Sequence, residues 1–371
     1  MSNIASLTAR VVSVQNTTLA TSYGAGKTVR DHLFVKLETE DGVTGFAEGS
    51  PLPHFSGEQA STMKAVLEET LAPALKGLSL FDLENVQVHL DRAIAGHNAT
   101  KAAIVNAVYD ALGKTLSRPV CDLLGGRLRP EVKVAGAIGI VPPNAVLARA
   151  RELYETGVRT FKLKVGTDLE RDTEAVKVVR EEFGSAVEIR ADANAGFTRA
   201  AARRFLERTA SFDLQYLEQP LDPRDLSGLA ELRRVTTTPI AIDESLFSAS
   251  DAIAAVRAGA ADVFVIKLIK LGGLLNARKV ASIAEASGVT CVAVSPYETD
   301  LGGSANLHLA ASSRAFAYAC EVGAGVSAVS LPGIGRLQPV DGAITVPDQP
   351  GLGVAVAPEF FAGTQTPHGM R

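Results

Sequence analysis

The chain has 371 residues, 46% hydrophobic and 21% charged, with 37 Lys and Arg against 41 Asp and Glu for a net charge of −4. That length suits two domains or one large one with a substantial core, and mild acidity without a basic run argues against general nucleic-acid binding. No apolar stretch reaches the roughly 18 residues of a membrane helix, no basic-then-apolar leader opens the chain, and three scattered cysteines, Cys121, Cys291 and Cys320, fit a reducing cytoplasm.

The first 50 residues read as strands. Residues 9–14, 33–39 and 43–48 are β-rich, and Asp41-Gly42 between the last two runs is a hairpin signal. Helical spacing of apolar residues follows over 61–78 and 100–116. Pro119 and Gly125-Gly126 then break the chain.

Beyond Arg129-Pro130 short apolar runs alternate with amphipathic stretches. Strands are predicted over 132–138, 160–165, 186–191, 214–217, 239–242, 262–266, 289–293 and 316–320. Helices are predicted over 144–156, 169–183, 199–210, 226–235, 249–258, 274–286 and 303–311. Eight strands, each but the last followed by a helix, point to an α/β fold: a TIM-like barrel in a modified (β/α)7β form. A doubly wound open sheet is the competing arrangement, but eight units without a reset favour closure. An N-terminal α+β capping domain (1–128), the barrel (129–340) and a tail (341–371) that returns to the capping domain complete the expected organisation.

Barrel active sites sit at the C-terminal ends of the strands, so the residues closing each strand carry the chemistry. Strand two ends in Lys162-Leu163-Lys164, and residues two apart in a strand share a face, so both ammonium groups enter the barrel mouth. Strand three ends in Asp192 with Asn194 two residues on, strand four in Glu218, strand five in Asp243 and Glu244, strand six in Lys267 and strand eight in Glu321. Asp192, Glu218, Asp243 and Lys267 follow one another at intervals of 26, 25 and 24 residues, one βα unit each. A lone acidic residue at a strand end is most often a helix N-cap. Three on successive strands, with lysines on both flanking strands, suit a hard divalent cation with oxygen ligands, and the absence of His or Cys from the set argues against zinc.

These segments together resemble the enolase superfamily, in its muconate lactonizing enzyme subgroup. The resemblance rests on Phe161-Lys162-Leu163-Lys164-Val165-Gly166, Asp192-Ala193-Asn194, Glu218-Gln219-Pro220, Asp243-Glu244-Ser245 and Lys267. It extends to the hairpin from Asp41 to Glu48, to Asp110-Ala111-Leu112-Gly113-Lys114, to Asp122-Leu123-Leu124-Gly125-Gly126-Arg127 and to Pro350-Gly351-Leu352-Gly353. It implies proton transfer at the carbon next to a carboxylate, with Mg²⁺ (or Mn²⁺) on Asp192, Glu218 and Asp243 stabilising the developing enediolate. Lys164 and Lys267 would address opposite faces of that carbon, with Lys162 supporting and Glu321 orienting or protonating. A nearby cation and a second lysine are expected to lower a lysine pKa into a usable range.

Narrower features bear on the reaction. Strand seven runs into Val294-Ser295-Pro296 without the His base of the mandelate racemase branch. Strand eight, Ala319-Cys320-Glu321-Val322, lacks the Asp-x-Asp that grips the amino group in dipeptide epimerases. Glu321 lies 54 residues after Lys267, matching a glutamate of muconate cycloisomerases. Cycloisomerisation of a muconate-like diacid is therefore favoured, with racemisation or epimerisation of an N-acyl or N-alkyl amino acid or dipeptide as the alternative. Asn194, Tyr23, His54 and Ser295 are the expected substrate contacts, Tyr23 and His54 coming from capping-domain loops 17–28 and 51–57. A small-molecule carboxylate substrate and a homo-oligomer are the partners the resemblance implies. The run Gly24-Ala25-Gly26-Lys27-Thr28 lacks the first glycine of a phosphate loop, and Gly323-Ala324-Gly325 lacks an acidic ribose partner. A metal-free barrel using a Schiff-base lysine is the rival chemistry; it would need one lysine in an apolar pocket rather than two beside three carboxylates.

Overall fold

The structure is a computed structural model that describes residues 2–16, 18–322 and 331–362; the Gly323–Gly325 run lies outside them. Three antiparallel strands open the chain: β1 (Ile4–Gln15), β2 (Val29–Thr39) and β3 (Thr44–Gly49), in the order β1-β2-β3. The predicted hairpin is there. Thr39 and Val43 close it, and Gly42 takes the left-handed conformation (φ 84°) that a side chain disfavours. One face of this sheet is covered by helices. Residues 60–75 form a continuous helical run, α1 (Ala60–Val66) extended by a π turn (Leu67–Leu71) and one further turn (Ala72–Leu75). After it come α2 (Leu83–Ala93), which the sequence reading missed, and α3 (Asn98–Thr115). α3 is buried from Ala99 to Gly113 because it is sandwiched between sheet and barrel.

A short strand, β4 (Glu131–Lys133), leads into the barrel. Seven parallel strands follow in unbroken neighbour order: β5 (Gly136–Ile138), β6 (Thr160–Lys164), β7 (Glu188–Asp192), β8 (Tyr216–Glu218), β9 (Ile240–Ile242), β10 (Val263–Ile266) and β11 (Thr290–Ala293). The intervening helices are α4 (Pro143–Glu155), α5 (Leu169–Phe183), α6 (Arg199–Thr209), α7 (Leu226–Val235), α8 (Ala249–Ala258), α9 (Leu274–Ala286) and α10 (Asp300–Ala311). Their starts are dictated locally: the side chains of Asp168, Thr198, Asp225 and Ser248 each accept a backbone N–H of the first turn. α5 buries a stripe at three- and four-residue spacing, Ala175, Val176 and Val179, whereas α10 is buried along its whole length.

The eighth strand predicted over 316–320 is not a regular strand. Single bridges, Val134 to Cys320 and Val294 to Glu321, close the sheet instead. Their hydrogen bonds are Cys320 N–H to Lys133 O (2.7 Å) and Glu321 N–H to Ala293 O (2.9 Å). Both bridges are parallel, so the segment lies between the two ends of the sheet with one paired residue on each side. Inside the closed sheet, Tyr216, Ala241, Val263, Val265, Val292 and Val294 make a buried cluster distinct from the larger core between strands, helices and cap.

The tail differs from expectation in its first part. β12 (Pro339–Val340) and β13 (Ala343–Thr345) form a hairpin that pairs with β4, at the entry to the barrel. Only beyond it does the tail reach the cap. Gly351 bonds to Arg118 and Val120, Leu352 N–H donates to Asp110 Oδ1 (2.7 Å), and the Phe360 ring packs on Phe34 with centroids 4.9 Å apart. Gly351 is required here: at φ 76°, a Cβ would stand 2.2 Å from Asp110. Among the described residues no helix is long and apolar enough to cross a membrane.

Candidate active site

Strand register sets the site. Lys164 lies beside Asp192, and Asp192 beside Glu218, across the parallel pairs β6–β7 and β7–β8. Alternation then aims Lys162, Lys164, Asp192 and Glu218 into one end of the barrel. Lys162 Nζ is 2.8 Å from Glu218 Oε1, 3.0 Å from Asp192 Oδ2 and 3.1 Å from Glu321. Lys164 Nζ donates to Asp192 Oδ2 (2.6 Å) and Asn194 Oδ1 (3.0 Å). Lys267 Nζ donates to Asp243 Oδ2. All three carboxylates are fully buried.

None of the three caps a helix, so the commonest alternative role for a strand-end acid is taken by other residues, Asp168 and Asp225. Among the described residues no three His, Cys, Asp or Glu side chains stand close enough together to share one ion as placed; each carboxylate takes an ammonium instead. The donor set nevertheless fits a hard divalent cation. It is all oxygen, and Glu218 Oε2 is buried with no hydrogen-bond partner. Burial, together with the nearby charges of Asp192 and Asp243, pushes the Glu218 carboxyl well above its usual range despite Lys162. That is the signature of surplus negative charge, which a cation would relieve. Burial works against ionisation of Asp192 and Asp243 too, but Lys162 with Lys164, and Lys267 with Lys270, outweigh it and hold both low.

Two of the lysines are governed by their carboxylate neighbours. Burial and Lys162 pull Lys267 down, but Asp243 and Glu244 outweigh them, and Lys267 lies above its ordinary range. Lys162 is raised likewise, burial being overcome by Asp192, Glu218 and Glu321. Carboxylates, rather than a second lysine, dominate the field at these two ammonium groups.

A cavity of about 460 Å³ opens above this cluster. Lys162, Lys164, Lys267, Asn194 and Glu321 line its floor, and Tyr23 and His54 its roof. Ser295 is not brought into it. That side chain is buried and its hydroxyl donates to Glu298 Oε2 (2.7 Å), because strand seven ends by turning it away from the cavity. A larger groove of about 1420 Å³ runs over the open face of β1 and β2. It contains no member of the carboxylate–lysine cluster, so the chemistry belongs to the smaller cavity.

The roof is tied to the floor. Tyr23 Oη donates to Glu244 Oε1 (2.9 Å), which also accepts from Asn194 Nδ2 (3.1 Å), and Ser22 Oγ donates to Asn194 O (2.8 Å). Phe55 lies over Lys267 with Nζ 4.4 Å from the ring centroid. Burial, with Arg30 and Lys267 nearby, keeps the His54 ring below its usual pKa and neutral. Asn194, Ala195, Gln219 and Tyr297, just past strands three, four and seven, hold positive φ between 34° and 62°, an uncommon backbone for such residues that concentrates at functional sites.

One residue of the cluster was missed. Lys270 is fully buried and donates to Asp243 Oδ1 (2.7 Å), Asp243 O (2.6 Å) and Val265 O (2.9 Å). It sits on a single helical turn (Leu268–Leu271) directly after Lys267. The only sequence signal was a lysine inside an apolar run, Leu268-Ile269-Lys270-Leu271.

Residues 6–125 match the family model of the mandelate racemase / muconate lactonizing enzyme N-terminal domain, and residues 145–360 that of the enolase C-terminal domain-like family. The chain is 32% identical to the N-succinyl-L-Arg/Lys racemase of Bacillus cereus, with 87% of each chain covered. It is 32% identical to muconate cycloisomerase 1 of Rhodococcus opacus over 88% of this chain and 89% of that one. The crystal structure of the Enterococcus faecalis dipeptide epimerase complexed with Mg and the dipeptide L-Leu-L-Tyr superposes with a TM-score of 0.89 at 31% identity, covering 95% and 99%.

Proposed function

Because the chain belongs to the mandelate racemase / muconate lactonizing enzyme family of the enolase superfamily, we propose that it is an isomerase that moves a proton at the carbon next to a substrate carboxylate. The observation that carries this reading is that Lys164 and Lys267, from opposite sides of the barrel, line one cavity above Asp192, Glu218 and Asp243. A divalent cation held by these three carboxylates, Mg²⁺ as in the Enterococcus complex or Mn²⁺, would supply the positive charge that stabilises a substrate carboxylate as charge develops on it.

The chain's own residues supply the rest. Lys164, fixed by Asn194 Oδ1, is the principal acid/base at the α-carbon. Lys267 faces it across the cavity, and Lys162 holds Glu218 and Glu321 in place. Tyr23, His54 and Phe55 line the cap side of the cavity.

The favoured reaction is muconate-type cycloisomerisation. One carboxylate oxygen adds across a substrate double bond, and Lys164 delivers its Nζ proton to the α-carbon next to the other carboxylate, closing a lactone. The absence of an amino-group clamp at Ala319–Glu321 supports this over dipeptide epimerisation. Racemisation of an N-acyl or N-alkyl amino acid is the second reading, favoured by the fact that both lysines reach the cavity. There Lys164 takes the proton from one face and Lys267 returns one to the other. The deciding assay follows loss of cis,cis-muconate ultraviolet absorbance with Mn²⁺, beside polarimetry on N-succinyl amino acids and proline betaines. Efficient muconate turnover supports cycloisomerisation. Racemisation with negligible muconate turnover overturns it and leaves the proton-transfer reading. In either case Lys164→Ala should cost about 10²–10⁴-fold, and full turnover by that variant would refute its role.

A further inference from the structure

The charges around the cavity are lopsided. Lys162, Lys164, Lys267, Lys27 and Arg30 line it, against one carboxylate, Glu321, which lies 3.1 Å from Lys162. The three lysines of the floor are answered by the buried carboxylates beneath them. Lys27 and Arg30, contributed by the cap, are not: among the described residues neither forms an ion pair. The acidic groups nearby are engaged elsewhere, Asp31 by Ser13 (2.6 Å) and Glu38 by Lys36 (2.6 Å). Arg30 Nε is buried with no hydrogen-bond partner.

Arg30 is also held in place. Its guanidinium lies 4.1 Å from the centroid of the Tyr297 ring, so a cap residue stacks on a barrel residue. Tyr297 is itself fixed at φ 62° in the link that follows strand seven. Ser50 Oγ donates to Pro296 O (3.0 Å) on one side of it, and Thr299 N–H donates to Glu48 (3.0 Å) on the other. A guanidinium stacked by its face keeps its edge N–H groups free for a planar acceptor. Leu19, Leu52 and Phe55 add apolar surface to the same cavity.

We infer that Arg30, stacked on Tyr297 and assisted by Lys27, forms a second anion subsite that selects substrates carrying a distal carboxylate. Such a ligand has one carboxylate over the Asp192–Glu218–Asp243 cluster, a short apolar or planar spacer, and a second carboxylate at Arg30. Linear dienoic diacids and N-acyl amino acids whose acyl group ends in a carboxylate both meet that description; dipeptides without an acidic side chain and betaines do not. The inference rests on the proton-transfer reading above and narrows its substrate class.

The test is calorimetric titration of the Mg²⁺-loaded protein with two matched pairs of probes: trans,trans-muconate against sorbate, and N-succinyl-L-phenylalanine against N-butanoyl-L-phenylalanine. In at least one pair the dicarboxylate should bind roughly tenfold tighter or better, the size of a charge-assisted contact. Arg30→Met should abolish that preference, and Arg30→Lys, which keeps the charge, should retain part of it. Absence of a preference in both pairs in the unaltered protein overturns the inference without need of a variant. A preference undiminished in the Arg30→Met, Lys27→Met double variant overturns it as well. Deuterium uptake from D₂O at the α-carbon of the two phenylalanine derivatives separates the failures. Exchange without any dicarboxylate preference removes the subsite alone, and preference with neither exchange nor turnover of cis,cis-muconate removes the proton-transfer reading alone.

Discussion

Lys270 shows how much one buried charge can organise. Its three acceptors are a carboxylate oxygen and two backbone carbonyls, all fully buried, and it ties the ends of strands five and six together. Burial pulls the Lys270 ammonium below its ordinary pKa, against the field of Asp243, so its charge is held by those contacts. Lys270→Met removes the cation and leaves Asp243 Oδ1 without its partner. A broken buried pair typically costs about 3–5 kcal/mol, so urea unfolding should report a loss of that order. Lys270→Arg, larger than the site allows, should recover only part of it. A Lys270→Met protein as stable as the parent would reduce this residue to filler. Glu218 belongs to the same scale. Its unpartnered Oε2 and raised carboxyl fit a cation ligand, and Glu218→Gln should abolish Mg²⁺ binding in calorimetry on the otherwise intact protein.

At the scale of elements, Asp110 joins three of them. From α3 its Oδ2 accepts from Phe46 N–H of β3 (2.7 Å) and from Lys114 (2.6 Å), while its Oδ1 accepts from Leu352 N–H of the tail (2.7 Å). One carboxylate thus fastens the cap hairpin, the long buried helix and the returning tail. Burial raises its pKa, and Lys114 and the backbone donors counter it. In Asp110→Asn one of the two acceptor oxygens becomes a donor facing backbone N–H groups. The expected cost is about 1–3 kcal/mol for each buried group left unsatisfied, together with faster proteolysis of the tail after Thr345. Unchanged stability and unchanged cleavage would show that the tail is held without Asp110, by its backbone bonds to Arg118 and Val120 and by its aromatic contacts.

The whole molecule carries a pH signature at the seam between cap and barrel. Glu298 is buried, accepts from Ser295 Oγ and Asn306 Nδ2, and has its pKa pushed up to about 8 by burial and then by the charge of Glu48. In the unfolded chain it would titrate near 4.5. Between about pH 4.5 and 8 the folded state therefore binds more protons than the unfolded state, and stability falls as pH rises through that window. Glu298→Gln keeps a neutral side chain at every pH, so it should flatten this part of the melting-temperature profile and raise stability near pH 8. A profile identical to the parent's would refute the assignment. Cation binding adds a second global effect. Binding to the folded state alone contributes about 2.7 kcal/mol at a hundredfold excess over Kd, so Mg²⁺ should raise the melting temperature, EDTA should reverse the rise, and Glu218→Gln should show neither.

The sequence by itself determined the βα alternation and the strand-end chemistry. Helices over 169–183, 226–235, 249–258 and 274–286 were legible because each carries an apolar stripe at helical period, flanked by a capping residue or a glycine. Lys162, Lys164, Asp192, Glu218, Asp243 and Lys267 were legible because strand periodicity and barrel geometry fix which end and which face they occupy. The tertiary structure decided what depends on contact between distant segments. The eighth strand became two bridges, because its pairing depends on where the first and seventh strands stand and not on local β-propensity. Ser295 turned to Glu298, and Lys270 turned back under Asp243, because a single residue or a single helical turn has no period to betray its direction. Arg30 met Tyr297 across 267 positions of chain, and only the docking of cap on barrel makes a stack of a surface arginine and a strained loop tyrosine.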